Sequence, residues 1–293
     1  MSETVLPTHA SAFRALAAQE IKNYLRHPLF IIGVLLAILS VVAIGADEAS
    51  SSLFQVLVPA TSLGVFGVMV MAGLVRRSDE VHAAAGAVVV SERQRTLALA
   101  SAAVVPFTVG LLWYAWAIWA WHEHPAKDYT VPFGDVGDSW AYAVMFALGV
   151  LSTLGGPVLG LVVGRWLHFR GAPLLVAVLL VMVTIMMQGI IEPLRYVRVF
   201  TPFTWFGGPQ GIEGDPERWV IMTGSPYWYC AYLAALCALG VLVAALHDRE
   251  QPRGILAKAT AATLVVAVAL GTLSMTTGIQ EERVNPLPSP AAD

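Results

Sequence analysis

Charge is what this chain of 293 residues has least of. Asp, Glu, Lys and Arg make up 13% of it, against 57% hydrophobic residues and a mean hydropathy of +0.69. A soluble domain carries about 25% charged residues, so a soluble fold is excluded for most of the length. The net charge is −3, which leaves no basic field for nucleic acid. Cysteine is nearly absent. Cys230 and Cys237 lie in one apolar run, and seven residues of helix rise about 10 Å, too far for a disulfide between them.

The missing motifs exclude as much. There is no G-x-x-x-x-G-K-[ST], hence no phosphate-cradling loop with which to hydrolyse ATP. There is no H-E-x-x-H and no G-x-S-x-G, which disfavours an intramembrane enzyme. His122-Glu123-His124 reads as a solvated loop, because adjacent residues of a loop rarely converge on one ion; no metal site and no cofactor are expected in this chain.

Long apolar runs are what the chain does have. Seven stretches approach the 20 or so residues that cross a bilayer: 29–45, 53–74, 97–121, 140–164, 173–191, 227–246 and 258–276. None holds an Asp, Glu, Lys or Arg in its interior. Proton- or sodium-coupled carriers keep such a group in the membrane as the coupling device. Work done by this chain must therefore draw its energy from elsewhere.

The expected fold is all-α, a polytopic membrane protein with an N-terminal amphipathic interfacial helix and six to seven transmembrane helices. Residues 1–28 form a cytoplasmic lead-in, 29–276 the transmembrane domain and 277–293 a Pro-rich, disordered tail. No cleavable signal is expected, since some 28 mostly polar or amphipathic residues precede the first run. In the lead-in, Phe13, Leu16, Ile21 and Tyr24 share one helical face, and Arg14, Lys22 and Arg26 line another. That pattern suits a helix lying flat among headgroups, with Phe13, Arg14, Glu20, Lys22 and Arg26 as its interfacial residues and Pro28 turning the chain inward.

Positive charge sets the orientation. A cytoplasmic N-terminus puts Arg76, Arg77, Arg93, Arg95, Arg165, Arg170, Arg249, Arg253 and Lys258 inside with the lead-in, and leaves Lys127, Arg195, Arg198, Arg218 and Arg283 outside. Arginine far outnumbers lysine, the bias of a GC-rich bacterial genome, so a bacterial cell membrane is the expected location. Trp113, Trp116, Trp119 and Trp121 fall toward the outer end of the third run and read as an aromatic anchor. Ser152, Gly156, Gly160 and Gly164 recur every four residues. They form a ridge for close helix packing whose partner, in this chain or a second subunit, the sequence leaves open. The aromatic-rich segment 192–227 is expected to form short helices in the outer interface.

The stretch from Val75 to Pro106 is the most charged on the N-terminal side of the chain. Together with the lead-in QEIKNYLRHPLF from Gln19 and the long aromatic outer segment, the hairpin opened by Asp79-Glu80 and closed by VSERQRTLA from Val90 resembles the membrane (permease) subunit of a type-2 ABC exporter. The likeness spans roughly residues 11 to 250. It departs from the family in its seventh run and in Val90, where a proline is common.

The resemblance implies a coupling helix over Asp79 to Ser91 that docks on a separate ATPase subunit, with Asp79, Glu80, Ala83, Ser91, Glu92, Arg93 and Arg95 as the coupling residues. It implies ATP and Mg²⁺ bound in that partner, a second permease copy or homologue, and contact with membrane lipid. The function so implied is export of an amphiphilic or hydrophobic substrate. The alternative is a non-transporting membrane sensor or anchor that docks through its outer aromatic segment.

Overall fold

Two helices that present small residues to each other form the centre of the protein. The computed structural model describes residues 9–44, 55–85, 90–123, 137–187, 197–201, 210–212, 215–221, 223–250, 252–280 and 283–285. Helix α1 (His9–Leu25) and helix α2 (Pro28–Ile44) meet at a 55° bend. Pro28 has no N–H to continue the first helix, and its fixed φ suits the start of the second. Helix α3 comprises Leu57–Pro59, a π-helical stretch Ala60–Val65, and Phe66–Ala85.

Helix α4 comprises Glu92–Ser101 and Val104–Glu123. Its short break at Ala102 and Ala103 has a local cause. Pro106 cannot donate to the carbonyl four residues back, and tighter bonds from Ala103 N to Ala100 O and from Val105 N to Ala102 O carry the chain past it. Helix α5 comprises Asp138–Met145, a π-helical stretch Phe146–Leu151, and Ser152–Trp166. Helices α6 (Ala172–Ile185), α7 (Pro226–Ala245) and α8 (Gly254–Thr276) complete the bundle.

Five of these helices, α3, α4, α5, α7 and α8, are long and apolar enough to cross a membrane; the bent pair α1–α2 makes a sixth if it is one broken span. The protein is an all-α polytopic membrane protein. Among the described residues five or six spans are found, against the six to seven expected. Helix α6 has 14 residues and α2 has 17, each adjoining residues outside the described set.

The partner of the glycine ridge is helix α3 of the same chain. A Cβ on Gly156 would run into the backbone of Gly64, and one on Gly160 into the backbone of Val68. A Cβ on Gly164 would lie 2.7 Å from Val75 Cβ. The fit is reciprocal, since a Cβ on Gly67 would lie 2.7 Å from the Pro157 ring. The two helices run in the same direction, and backbones packed this closely gain dispersion contacts along their length.

Two buried clusters lie at opposite ends of this pair. One gathers Tyr24, Leu63, Met71, Leu74, Leu99 and Leu161. The other gathers Trp113, Trp121, Trp140, Leu148, Tyr229 and Tyr232. The second cluster corrects the aromatic-anchor reading in part. Trp113 packs over Gly149, and Trp121 donates from Nε1 to Asp138 Oδ1 at 2.8 Å; both rings are buried, while Trp119 is exposed.

The lead-in helix packs on the bundle. Helix α1 does turn Leu16, Ile21 and Tyr24 to one side, but that side lies against α3 and α4, with Tyr24 fully buried. Glu20 shares the buried face, while Arg14, Lys22 and Arg26 are exposed.

The 192–227 segment was expected to be helical. Its described part is a 3₁₀ turn, Arg198–Phe200, and two strands, β1 (Gln210–Ile212) and β2 (Asp215–Ile221). Trp219, Val220 and Ile221 are strand-favouring residues. The tail supplies a third strand, β3 (Arg283–Asn285), giving an antiparallel sheet in the order β1-β2-β3 with Val284 opposite Val220. Residues 283–285 of the tail thus pair with β2. Ile279 and Gly224 exchange backbone hydrogen bonds of 2.7 and 3.1 Å, and Gly278, at φ +83°, makes the turn that brings them together. Residues 286–293 lie outside the described set.

Candidate functional site

The charged residues of the hairpin belong to a network that ties four parts of the bundle together at one end. It starts at the N-terminus of α4. Ser91 Oγ accepts the backbone N–H of Gln94 at 3.2 Å, and Gln94 Oε1 accepts that of Ser91 at 3.4 Å, a reciprocal capping box. Asp248, from the turn between α7 and α8, accepts the N–H of Arg93 through Oδ2 at 2.9 Å. Three of the four unpaired donors of that first turn are thus satisfied by side chains, and the carboxylates of Glu92 and Asp248 sit where the helix dipole favours negative charge.

One turn further on, Arg95 donates from Nη1 to Asp79 Oδ1 at 2.9 Å and to the carbonyl of Ser78 at 3.3 Å. The same Asp79 oxygen accepts from Arg165 Nη1 at 2.7 Å. Arg165 lies in the last turn of α5 and is 2% exposed, so its charge has left water almost completely. Such a charge needs a partner, and Asp79, 46% exposed, provides it. Asp79 thereby joins α3, α4 and α5.

Glu92 extends the network. Its Oε1 lies 2.5 Å from His247 Nδ1 and 4.0 Å from Arg165 Nη1. The His247 ring meets Trp166 edge-on, with centroids 5.2 Å apart, and Trp166 Nε1 donates to the carbonyl of Val243. Arg93 Nη2 reaches the carbonyl of Pro252, and Arg253 donates to the carbonyls of Asp248 and His247. On the other side, Arg76 donates to the carbonyls of Phe169 and Arg170 in the turn between α5 and α6.

Of the residues expected to act in coupling, Asp79, Ser91, Glu92, Arg93 and Arg95 come together here. Glu80 and Ala83 do not; both are exposed on the last turns of α3. The separate short helix expected from Asp79 is absent, because α3 runs without interruption from Phe66 to Ala85. Asp79 does not cap a new helix, since its carboxylate is committed to Arg95 and Arg165, and Ala83, Ala84 and Ala85 are strong helix formers. Residues 86–89, where the hairpin was expected to turn, lie outside the described set.

Five titratable members of the network were not anticipated as site residues: Arg76, Arg165, His247, Asp248 and Arg253. The three arginines were counted only toward orientation. The readable signal was the position of Arg165, with His247 and Asp248, at the ends of apolar runs on the same side as the hairpin.

The small-residue ridge is a packing device between α3 and α5, as described above. Cys230 donates from Sγ to the carbonyl of Ala143, and both cysteines are free thiols. His122 bonds to the Tyr142 hydroxyl; His124 lies outside the described set. Among the described residues, no group of three or more His, Cys, Asp or Glu is placed to hold a metal ion. No family model, no curated protein and no solved structure matches this chain.

Proposed function

We propose that this chain is the membrane-spanning subunit of an ATP-driven ABC exporter, which moves an amphiphilic or hydrophobic substrate with energy from a separate ATPase subunit. It works in a bacterial cell membrane with its N-terminus in the cytoplasm, paired with a second permease copy or homologue, and the partner ATPase binds ATP and Mg²⁺. The observation that carries this reading is the bracing of the hairpin. A force applied to the exposed end of α3 passes through Asp79 to Arg165 of α5, and through Glu92 and Arg93 to the turn between α7 and α8. A slack charged loop would dissipate such a push; this one is fastened to the helices that would have to move.

The test is to read the neighbouring frames and to co-express this chain with the ATP-binding subunit expected there. Ala83 is exposed and outside the network, so Ala83→Trp should leave folding intact while a bulky ring obstructs a docked partner. The expected result is co-purification with the unaltered chain, and loss of ATPase stimulation in the variant. An adjacent frame that encodes no ATP-binding protein, or stimulation unchanged in Ala83→Trp, would count against the reading.

A further inference from the structure

At the same charged end, a pocket of about 230 Å³ opens between α1, the last turns of α3 and the start of α4. Its α1 wall carries Glu20, which is 7% exposed. Glu20 accepts one hydrogen bond, from Asn23 Nδ2 at 3.1 Å, and meets no basic side chain among the described residues. The opposite walls carry Arg77, Arg95 and His82. Arg77 has neither an ion pair nor a hydrogen bond among the described residues. Arg95 is 9% exposed, and its Nε is buried without a hydrogen-bond partner; so is His82 Nδ1. Leu16, Val81 and Val90 supply apolar lining.

Carboxylate and guanidinium thus face one cavity from different walls without meeting each other. A buried carboxylate with no cation is costly, and so is a buried N–H with no acceptor. A plain anion would satisfy the arginines and leave Glu20 repelled. A plain cation would do the reverse. Both sides are satisfied by a small zwitterion with an ammonium group at one end and a phosphate at the other. The polar end of a membrane bundle, with aliphatic side chains at hand for methylenes, is where such a group is found on a lipid.

We propose that this pocket binds a phosphoethanolamine group. Its ammonium donates to Glu20, and its phosphate accepts from Arg77, with the charge of Arg95 in the wall behind it. A trimethylated ammonium has no N–H to give Glu20, and a glycerol headgroup has no cation at all. The pocket therefore selects phosphatidylethanolamine over phosphatidylcholine and phosphatidylglycerol.

The test uses the full chain, purified and reconstituted with equal amounts of those three lipids, and native mass spectrometry of what stays bound. The expected result is retention of phosphatidylethanolamine at roughly tenfold over the other two, the scale of one hydrogen bond to a charged group. Glu20→Gln and Arg77→Gln should each erase that preference. Arg77 is exposed, so its variant reports even if the buried Glu20→Gln fails to fold. Glycerophosphoethanolamine added in solution distinguishes the source: displacement of the lipid means that a soluble ester also fills the site, and no displacement means that the acyl-anchored headgroup does. Equal retention of the three lipids, or a preference that survives Arg77→Gln, overturns the proposal; the former would mean that the pocket selects no headgroup, the latter that the lipid binds elsewhere. The readout involves no ATPase, so it stands apart from the transport reading.

Discussion

Asp248 Oδ2 accepts the backbone N–H of Arg93 at 2.9 Å, joining positions 155 residues apart in the chain. Asp248 is 1% exposed, and its other oxygen accepts the N–H of Glu250. A carboxylate from a distant turn thus serves as a second cap on α4 beside Ser91. Removing it leaves a part-buried donor at the helix start unpaired. Asp248→Ala should cost about 1–2 kcal/mol, the range for loss of a helix cap. Asp248→Asn, which keeps an acceptor oxygen, should cost less. Thermal unfolding of the purified variants in detergent checks the order.

The α3–α5 contact makes a sharper prediction. At Gly156 the obstructing atoms are the backbone of Gly64, which cannot swing aside as a side chain could. Overpacking a well-filled site costs about 1–3 kcal/mol, and Gly156→Ala should fall at the top of that range. Gly254→Ala is the control. Nothing lies within 4 Å of where its Cβ would be, and it sits at the first residue of α8, so the change should be neutral or slightly stabilising. Equal melting points for the two variants would mean that the helices do not touch at Gly156.

These two contacts differ in how far the sequence discloses them. The glycine ridge is visible because its four-residue period is local; which helix fills it depends on tertiary contact and cannot be read from one segment. Ser91 with Gln94 is likewise a local capping pattern, whereas Asp248 belongs to the same cap and lies far away in sequence. Asp79 illustrates the limit from the other side. The family resemblance implies a helix that starts there. Two arginines from other helices claim its carboxylate, and the helix continues. The 192–227 segment misled for a different reason: abundant aromatics are equally suited to an interfacial helix and to a strand, and pairing with the tail, which decides between them at β2, is not a local property. The apolar runs themselves were legible throughout, since hydropathy over 20 residues needs no tertiary information.

The Asp79–Arg165 pair should show strong coupling. Asp79→Ala leaves the Arg165 guanidinium buried with its nearest carboxylate removed, and should destabilise by about 3 kcal/mol, the low end for breaking a buried pair because Asp79 is itself half-exposed. Arg165→Met removes the buried charge while keeping an unbranched stem, and the double variant should recover most of the loss. A double-mutant cycle on melting temperature measures this directly. Additive losses would show that the pair is incidental and that Glu92, at 4.0 Å, suffices for Arg165.

His27 gives the hinge between α1 and α2 a pH dependence. Its Nδ1 accepts the backbone N–H of Leu29 at 3.3 Å, and its ring approaches Gly73 of α3. Burial lowers its pKa below the ordinary histidine value, since the protonated form is the one that desolvation penalises. Above the ordinary value both folded and unfolded chains hold a neutral imidazole, and stability is fully present. As the pH falls through that value the unfolded chain takes up the proton first, so stability declines until the lower folded value is passed, then levels. Protonation also removes the acceptor that holds Leu29, which places the strain at the bend itself. Melting temperature followed on acidification should therefore fall for the unaltered chain, and the part of that fall due to this ring should be missing in His27→Gln. An identical slope in both proteins would assign the acid sensitivity to other groups.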